Sequence, residues 1–487
     1  MFKTLQSTFP KDEDYPQRTF RLGILTRVLE GTIYDGLQHA FHDEKNEAGE
    51  YIPLRKRRPS VRYRLCGIVV DDSVSMLFSE GHFPTIECKN QDLDEALTQL
   101  VKETKLNAIM IDAATRGSVG SVVILMRVLK GRVFFEVKPT QYLSPEFDPE
   151  APDTLVKVTE KYKVKGKTLV AMGYQAEDND EDYWFRREWT TTQEVFYLPQ
   201  KVADSKKEPP PPPVVDTTRT VTHSLGFVPA VWVRNLPGGD GVDGLPTFPD
   251  EAIDTAIEVD YLLSQGSRGL KYSSDPTLLI KEPTLGEKGQ MVKGAGNALV
   301  VSDQGDAKLL EINGTAATAV MEYVRLLREL ALESMHGNRA SAEKLSAAQS
   351  GRAMELMNQA LIWLADRLRI SYGEGALLDL LKMVVAARRK MPLQFKDGAK
   401  FPEIPADADI VLRWPAWYQP TAKDRNDDAN TLKTLADASL ISEETGTRAL
   451  ADTYDIEDVP AERARIEKER EERIAREQPK TTQTRSV

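Results

Sequence analysis

Two helical patterns separated by a small polar loop decide the fold. Thr315–Met335 is TAATAVMEYVRLLRELALESM, and Gly351–Lys390 is GRAMELMNQALIWLADRLRISYGEGALLDLLKMVVAARRK. Apolar residues recur every three or four positions in both stretches, which predicts amphipathic helices. Gly373 and Gly375 predict a kink in the second helix, and Pro392 predicts its end. If straight, that helix would be about 60 Å long, so it needs neighbours from the same chain or from other copies.

A third helical pattern, Glu251–Tyr272, precedes these two. Between it and Thr315 lies a glycine-rich insertion, residues 276–313, in which we predict the strands Thr277–Ile280, Ala298–Val301 and Lys308–Ile312. If the flanking helices, each about 30 Å long, are antiparallel, they form a stalk with the insertion at its tip. An ordinary α+β enzyme gives no reason for this order of elements.

The first 250 residues mix helices with antiparallel strands. We expect a polar arm over residues 1–17 and helices in Arg18–Phe41, in Val61–Leu77 and from an N-cap at Asp92 to Leu106 or beyond. A hairpin and a meander then follow, in the strands Ser121–Val128, Arg132–Lys138, Thr154–Tyr162, Lys167–Gln175, Asp182–Trp189 and Glu194–Leu198. Lys206–Asp216 contains five consecutive prolines and predicts a stiff surface connector.

The C-terminal part adds one strand-like segment within residues 409–418 and a polar helical tail. The predicted tail helices are Asp424–Leu440, Ser442–Thr453 and Pro460–Arg476. Glu and Arg alternate along the last one, which indicates a solvated helix held by pairs four residues apart.

Composition excludes several classes of protein. The 487 residues suggest roughly three domains, and the 41% hydrophobic content is enough for sizeable cores. The two cysteines exclude a disulfide scaffold and any cysteine-based metal site. The formal net charge of −11 argues against a broad basic DNA-gripping face, but it is compatible with a surface past which DNA slides. No apolar run approaches a membrane span, and we find no secretory signal.

Gly239–Gly244 matches the dinucleotide-binding pattern G-x-G-x-x-G, but its context contradicts that function. The pattern requires a helix that begins at the glycines, whereas Leu-Pro-Thr-Phe-Pro follows here. We therefore interpret the segment as a loop. Asp240 and Asp243 could touch a cation, but no spacing typical of a calcium site supports it.

No other motif supports catalysis. Ala108–Asp112 resembles a Walker B strand, but the chain has no phosphate-binding P-loop sequence. His39 and His42 lie three apart on a predicted helix, but a zinc site needs a third ligand. We therefore assign no catalytic, cofactor-binding or metal-binding residue and expect no cofactor.

Five segments together resemble the portal (head-to-tail connector) proteins of tailed bacteriophages. They are RRPSVRYRLCGIVVDDSVSMLFSEG (57–81), HSLGFVPAVWVRN (223–235), LSAAQSGRAMELM (345–357), ASLISEETGTRAL (438–450) and DVPAERARIEKEREE (458–472). They follow the order of that family and span most of the chain. The meander at 154–198 and the polyproline run depart from the family pattern.

The resemblance implies an α+β fold of portal type, with a mixed helix and antiparallel-strand wing, a two-helix stem, a small β clip, a long kinked inner helix and a helical crown. The implied divisions are the wing (1–250), stem helix 1 (251–275), the clip (276–313), stem helix 2 (314–335), the tunnel loop (336–350), the long helix with the rest of the wing (351–421), and the crown and tail (422–487).

The resemblance also implies the partners. A dodecameric ring would occupy one capsid vertex of the virion after assembly in the host cytoplasm. Double-stranded DNA would pass through its channel during packaging and ejection. Terminase and a head–tail adaptor would dock on it, and major capsid or scaffolding protein would surround it, with no membrane involved.

Two groups of candidate contact residues follow from these assignments. Asn338, Arg339 and Lys344 of the tunnel loop are candidates for DNA contact, and Lys281, Lys288 and Lys293 of the clip for docking of terminase or adaptor. A phosphate contact in the loop should be weak, because firm binding would oppose translocation. Alternatively, Glu343 neutralises Lys344 and the loop merely reverses the chain.

Two other interpretations stay open at this point. One is an enzyme, such as a hydrolase or nuclease, whose active-site residues are dispersed along the chain. The other is a virion structural protein without a channel. Native mass distinguishes the first from a portal, because a ring protein should not stay monomeric or dimeric under all conditions.

Overall fold

The computed structural model divides the chain into two units. The first comprises Met1–Arg339 and Asn358–Trp417, and the second comprises Ala340–Met357 and Tyr418–Val487. The residues described are 1–206, 209–274, 277–283, 301–310, 315–337, 351–405, 408–418, 421–451, 456 and 458–477.

Helices make up much of both units. Those of the first unit up to residue 334 are α1 (Phe2–Gln6), α2 (Gln17–Glu30), α3 (Leu65–Phe78), α4 (Gln91–Thr104), α5 (Leu106–Gly117), α6 (Gly166–Ala171), α7 (Val202–Ser205), α8 (Asp250–Ser274) and α9 (Thr315–Ser334). It also contains the helices Gln359–Leu368 and Leu378–Lys390, the π-helical segment Arg369–Leu377 between them, and 3-10 turns at Leu54–Lys56 and Thr140–Tyr142. The helices of the second unit are Gly351–Met357, Ala422–Asp437, Glu443–Ala451 and Val459–Glu477.

The strands, all antiparallel to their neighbours, lie in the first unit. They are β1 (Thr85–Cys88), β2 (Ser121–Leu129), β3 (Arg132–Pro139), β4 (Leu143–Phe147), β5 (Leu155–Lys165), β6 (Asp182–Thr190), β7 (Gln193–Phe196), β8 (Gln200–Lys201), β9 (Val221–Thr222), β10 (Ala230–Arg234), β11 (Thr277–Pro283), β12 (Val301–Leu310) and β13 (Ile410–Arg413). The sheets have the orders β10-β2-β3, β4-β5-β6-β7-β9 with β8 beside β6, β1-β13 and β11-β12. The predicted mixed α+β fold with antiparallel sheets is confirmed.

The centre of the first unit is strand β2, which β10 and β3 flank on its two edges. Its first six side chains are buried, as expected for a strand covered on both faces. Its inward side chains pack on the larger sheet through one cluster that contains Trp189. The cluster comprises Val123, Leu125, Leu143, Val158, Trp189, Val228 and Ala230.

The predicted strand Lys167–Gln175 is wrong, because most of this segment forms the short helix α6. One turn of helix places Leu169 beneath Tyr174 and Phe185, where it is fully buried. Gly173 then reverses the chain with φ +81, a conformation that favours glycine. The local cluster of aromatic side chains outweighs the strand propensity of this segment.

The predicted polar arm is also wrong in part. Phe2 and Leu5 of α1 are buried, and the Phe2 N–H donates a 2.7 Å hydrogen bond to Asp254 of α8. Further along, Lys163 Nζ donates 2.6 Å hydrogen bonds to Asp12 and Asp14. These bonds hold the pKa values of both carboxyls below their usual range. The first 17 residues are therefore anchored at two places.

Two predicted helices have different ends in the structure. The helix expected over Arg18–Phe41 stops at Glu30, because Gly31 takes the left-handed conformation with φ 75. The helix expected from Asp92 is instead capped by Asn90, whose side chain accepts from the Leu93 N–H. Both errors concern a cap or a stop, which periodicity does not specify.

Gly239–Gly244 is a loop, as predicted, and it carries a structural ion pair. The Asp243 carboxylate receives hydrogen bonds of 2.6 and 2.7 Å from Arg18 of α2 and a further one from the Ser121 hydroxyl. Arg18 also donates to the carbonyls of Thr140 and Leu143. Asp243 therefore joins the loop to α2 and β2, rather than holding a cation.

In the second unit the polar tail is helical, as the sequence predicts. Thr421 and Asp424 form a reciprocal capping box at the start of Ala422–Asp437. Arg463 bonds Glu444 of the preceding helix at 3.2 Å and approaches Glu467, four residues on, at 3.9 Å. Exposed ion pairs of this kind contribute little stability each.

Candidate assembly site

A buried carboxylate in the first half of helix α8 anchors that helix to the fold. Asp260 accepts 2.7 Å hydrogen bonds from the Tyr34 hydroxyl and from the Tyr63 N–H. Burial raises the pKa of Asp260, and these two bonds offset that rise only in part. One turn later, the Ser264 hydroxyl accepts from the Val61 N–H at 3.0 Å. The backbone of residues 61–63 therefore lies along α8 and is held there by hydrogen bonds to Asp260 and Ser264.

A buried arginine lies under the same helix. Arg57 is 1% exposed and donates to the Phe41 carbonyl at 3.1 Å and to the Tyr51 hydroxyl at 3.0 Å. Its own carbonyl accepts from the Tyr261 hydroxyl of α8 at 2.9 Å, and burial raises the pKa of Tyr261 to about 12. These hydrogen bonds lie within the fold, although the buried Arg57 Nε has no partner, and we assign the two residues a positioning role.

Helix α9 has apolar side chains on two adjacent sides, and the rest of the chain buries only one of them. Val324 and Ala331 are buried, whereas the adjacent stripe of Tyr323, Leu326 and Leu330 is 49%, 50% and 52% exposed. These three positions are spaced by three and four residues, so they lie on one side of the helix. In the described part of the chain, this stripe is an unpartnered apolar face.

An open apolar groove of about 620 Å³ lies where α8 and α9 meet. Its wall on α8 includes Leu263, Gly266 and Leu270, and its wall on α9 includes Val320 and Met321. At Gly266 a Cβ atom would come within 3.3 Å of Val320, so the glycine permits the close approach of the helices. Leu270 and Met321 are about half exposed, which extends the apolar surface of the pair.

The long helix carries a second apolar face and an irregular middle. Trp363 and Ile370, seven residues apart, are 56% and 61% exposed. The opposite side is buried, and the Tyr372 hydroxyl there donates a 3.0 Å hydrogen bond to Asn235 Oδ1. The predicted kink at Gly373 and Gly375 falls within the π-helical segment Arg369–Leu377. That segment is therefore fixed to the end of β10.

A match to a protein-family model identifies the family of this chain. The model described as "Phage portal protein, SPP1 Gp6-like" matches residues 25–476, nearly the whole chain. The chain belongs to this portal family. The resemblance seen in the sequence is thus confirmed, and with it a portal role in the virion at the head–tail connection.

Solved structures with similar chains come from gene transfer agent (GTA) particles. One is the virion of a native GTA particle, with 11% identity and a TM-score of 0.36, covering 80% of this chain and 89% of that one. Others are the neck of a native particle computed with C12 symmetry (12%, 0.37, 80% and 88%) and the neck of an empty particle computed with C6 symmetry (10%, 0.38, 80% and 89%). No curated protein matches the chain.

Most portal contact residues predicted from the sequence lie outside the described residues. These are Asn338, Arg339, Lys344, Lys288 and Lys293. Lys281 belongs to β11, where its backbone is opposite Asp306 of β12. The described part of the clip region is thus a two-stranded antiparallel sheet, and its role in docking stays a prediction.

The motifs set aside in the sequence have ordinary positions in this portal chain. Ala108–Asp112 lies within helix α5, not in a strand as the Walker B likeness would require. The prediction that His39 and His42 share a helix is wrong, because both follow the end of α2. Within the ranges that the structure describes, no three His, Cys, Asp or Glu side chains form a metal-binding group, and no helix there is long and apolar enough to cross a membrane.

Sequence reasoning missed several contacts that the structure brings together. Arg369 packs between Trp414 and Trp417, and His82 reaches the same segment. The signal was present as the pair of tryptophans in Trp-Pro-Ala-Trp, which is an unusual density of large aromatic side chains. Their arginine and histidine partners lie far away in sequence, so no spacing could identify them.

Proposed function

We propose that copies of this chain form a closed ring at one capsid vertex and that double-stranded DNA passes through its axial channel. The observation that carries the proposal is the portal family match over residues 25–476. Portal proteins are structural, so we assign the chain no catalytic role. Terminase, a head–tail adaptor and the surrounding capsid or scaffolding protein are its proposed partners.

Two unpartnered apolar faces support ring formation. Tyr323, Leu326 and Leu330 form one face on α9, and Trp363 and Ile370 form another on the long helix. Contiguous exposed apolar patches often mark sites of protein–protein contact. A closed ring uses two different faces of each subunit, because its contacts are heterologous. Both faces belong to the first unit.

We assign the portal parts to the elements as follows. Helices α8 and α9 are the proposed stem, and β11 with β12 belongs to the proposed clip. The helices after residue 421 are the proposed crown. Residues 336–350, most of which lie outside the described ranges, are the proposed tunnel loop, with Arg339 and Lys344 as its candidate phosphate contacts.

Negative-stain electron microscopy and light scattering of the full-length protein test the ring. We expect turbine-shaped rings, and a single large species at both low and high salt. Monomer alone at high protein concentration in all conditions would contradict the proposal.

The DNA contact is tested separately by charge reversal, Arg339→Glu together with Lys344→Glu, in a DNA-packaging assay. We expect assembled rings with reduced packaging, because the loop would then repel the phosphates. Packaging at the wild-type rate and extent by normal rings would remove the loop from DNA contact and leave the ring proposal intact.

A further inference from the structure

The segment Trp414–Trp417 is the last part of the first unit before the chain passes into the second at Tyr418. It follows strand β13 and contains Trp-Pro-Ala-Trp. Three residues hold it: Arg369 from the long helix, Phe78 at the end of α3, and His82 in the turn that follows α3. We call this segment the tryptophan strap.

Arg369 contacts the strap through its guanidinium plane. Its guanidinium carbon lies 3.2 Å from the ring centroid of Trp417 and 4.6 Å from that of Trp414. Its Nη2 is 3.5 Å from the Pro415 carbonyl, which is long for a hydrogen bond, and its Nε is buried without a partner. Burial lowers the pKa of Arg369 to about 10, and Asp366 opposes this only through a longer-range attraction. Two aromatic faces therefore replace most of the water around this cation.

His82 holds the other end of the strap. Its Nε2 lies 3.0 Å from the Trp417 carbonyl, and its Nδ1 lies 2.8 Å from the Ser79 hydroxyl. Because a carbonyl only accepts, Nε2 must carry the proton and donate. When Nε2 alone carries a proton, the Ser79 hydroxyl donates to Nδ1. The end of α3 thus orients the donor that captures the strap.

The same contacts involve the irregular part of the long helix. Arg369 is the first residue of the π-helical segment, and Gly373 faces Trp414 so closely that a Cβ there would lie 2.4 Å from Trp414 Cζ2. π-helical turns are rare, and those that occur are frequently found at functional sites. The strap supplies tertiary contacts on one flank of the segment.

We propose that the tryptophan strap is a releasable clasp that holds residues 369–377 in their π-helical register. With the strap docked, Arg369 and Gly373 pack against its indole rings. With the strap released, the guanidinium regains its water and the segment can rewind towards an α-helix. The closed state gains aromatic contacts but gives up hydration of the cation, so these two contributions oppose each other.

Hydrogen–deuterium exchange of the full-length protein tests the clasp, with Arg369→Ala and Arg369→Lys as the main variants. We expect exchange to rise roughly tenfold in both 369–377 and 414–417, because two cation–π contacts are lost. Lysine keeps the charge but lacks the planar group that stacks on both rings. We therefore expect Arg369→Lys to behave like Arg369→Ala.

Three further variants complete the test. Gly373→Ala should act like Arg369→Ala from the opposite side of the contact, since it displaces Trp414. Arg413→Ala is the matched control, because its ion pair with Glu87 is exposed, and it should change neither segment. Should the Arg369 variants not fold, His82→Ala at the edge of the clasp is measured instead, with the same coupled rise expected. Two results would overturn the clasp. One is faster exchange in residues 414–417 with unchanged exchange in 369–377, and the other is wild-type protection in the Arg369→Lys variant. The test does not depend on ring formation, so it is independent of the proposed function.

Discussion

Arg18 and Asp243 lie mostly buried, and each is the other's charged partner. Asp243→Ala should leave the guanidinium with the carbonyls of Thr140 and Leu143 and the more distant Ser121 hydroxyl, all of them uncharged. We expect a loss of about 2–3 kcal/mol in the free energy of unfolding, because a partly buried charge then lacks its counter-ion. Urea denaturation followed by tryptophan fluorescence measures this change. The control is Arg116→Ala, which breaks an exposed pair with Asp112 and should cost less than about 0.5 kcal/mol. Equal losses in the two variants would contradict the prediction.

Asp260 gives a prediction about pH. Its pKa is raised in the folded state by burial, so the folded protein binds this proton more tightly than the unfolded chain. The contribution of Asp260 to stability is therefore greatest below its unfolded-state pKa, near 4, and is lost as pH rises through the raised value. Asp260→Asn cannot titrate, so the free energy of unfolding of the wild type should fall relative to that of the variant as pH rises from about 4. A wild type that gains stability relative to the variant over this pH range would contradict the raised pKa.

At the scale of elements, the last helix is expected to be dispensable for assembly. Val459–Glu477 is held by exposed pairs such as Arg463–Glu444, and no large apolar stripe is present in its sequence. Deleting residues 460–487 should leave the ring intact, as judged by light scattering and electron microscopy. Loss of the ring on deletion would show that this helix contributes to subunit contacts.

The sequence predicts an element well when nearby residues determine it, and poorly when contacts with residues distant in sequence determine it. Helices α8 and α9 and the outer ends of the long helical pattern were predicted within a few residues, because an apolar stripe is a local pattern. The prediction of one continuous helix over Gly351–Lys390 is wrong, because the structure interrupts it at Asn358. The end of α2 at Gly31 and the helix at Leu169 were missed, since a left-handed cap and a cluster with Phe185 decide them. The apolar faces of α9 and the long helix were visible as stripes, but only the structure separates their covered half from their exposed half.

At the scale of the whole molecule, two different faces should account for assembly. Leu326→Asp with Leu330→Asp removes the face on α9, and Trp363→Asp with Ile370→Asp removes the face on the long helix. Each double variant alone should fail to form rings, because a buried carboxylate is costly. Mixed together they should form heterodimers and stop there, since each retains one intact face. Native mass spectrometry reads this outcome directly.

The matched control for both faces is Glu329→Gln, on the polar side of α9, which should assemble like wild type. Rings formed by either double variant would remove its face from the interface. Rings absent from the wild type would instead contradict the ring itself, so the two failures are distinguishable.

The pairing of β1 with β13 has a consequence for synthesis. Thr85 lies opposite Arg413, so the partner of β1 leaves the ribosome only after more than three hundred further residues have been translated. Until then β1 is an open edge, and contacts of such large sequence separation close slowly. The two-stranded sheet therefore cannot form until β13, the strand next to the tryptophan strap, has left the ribosome. Completion of the first unit therefore requires translation as far as Arg413, and a product truncated before this strand cannot close the sheet that β1 begins.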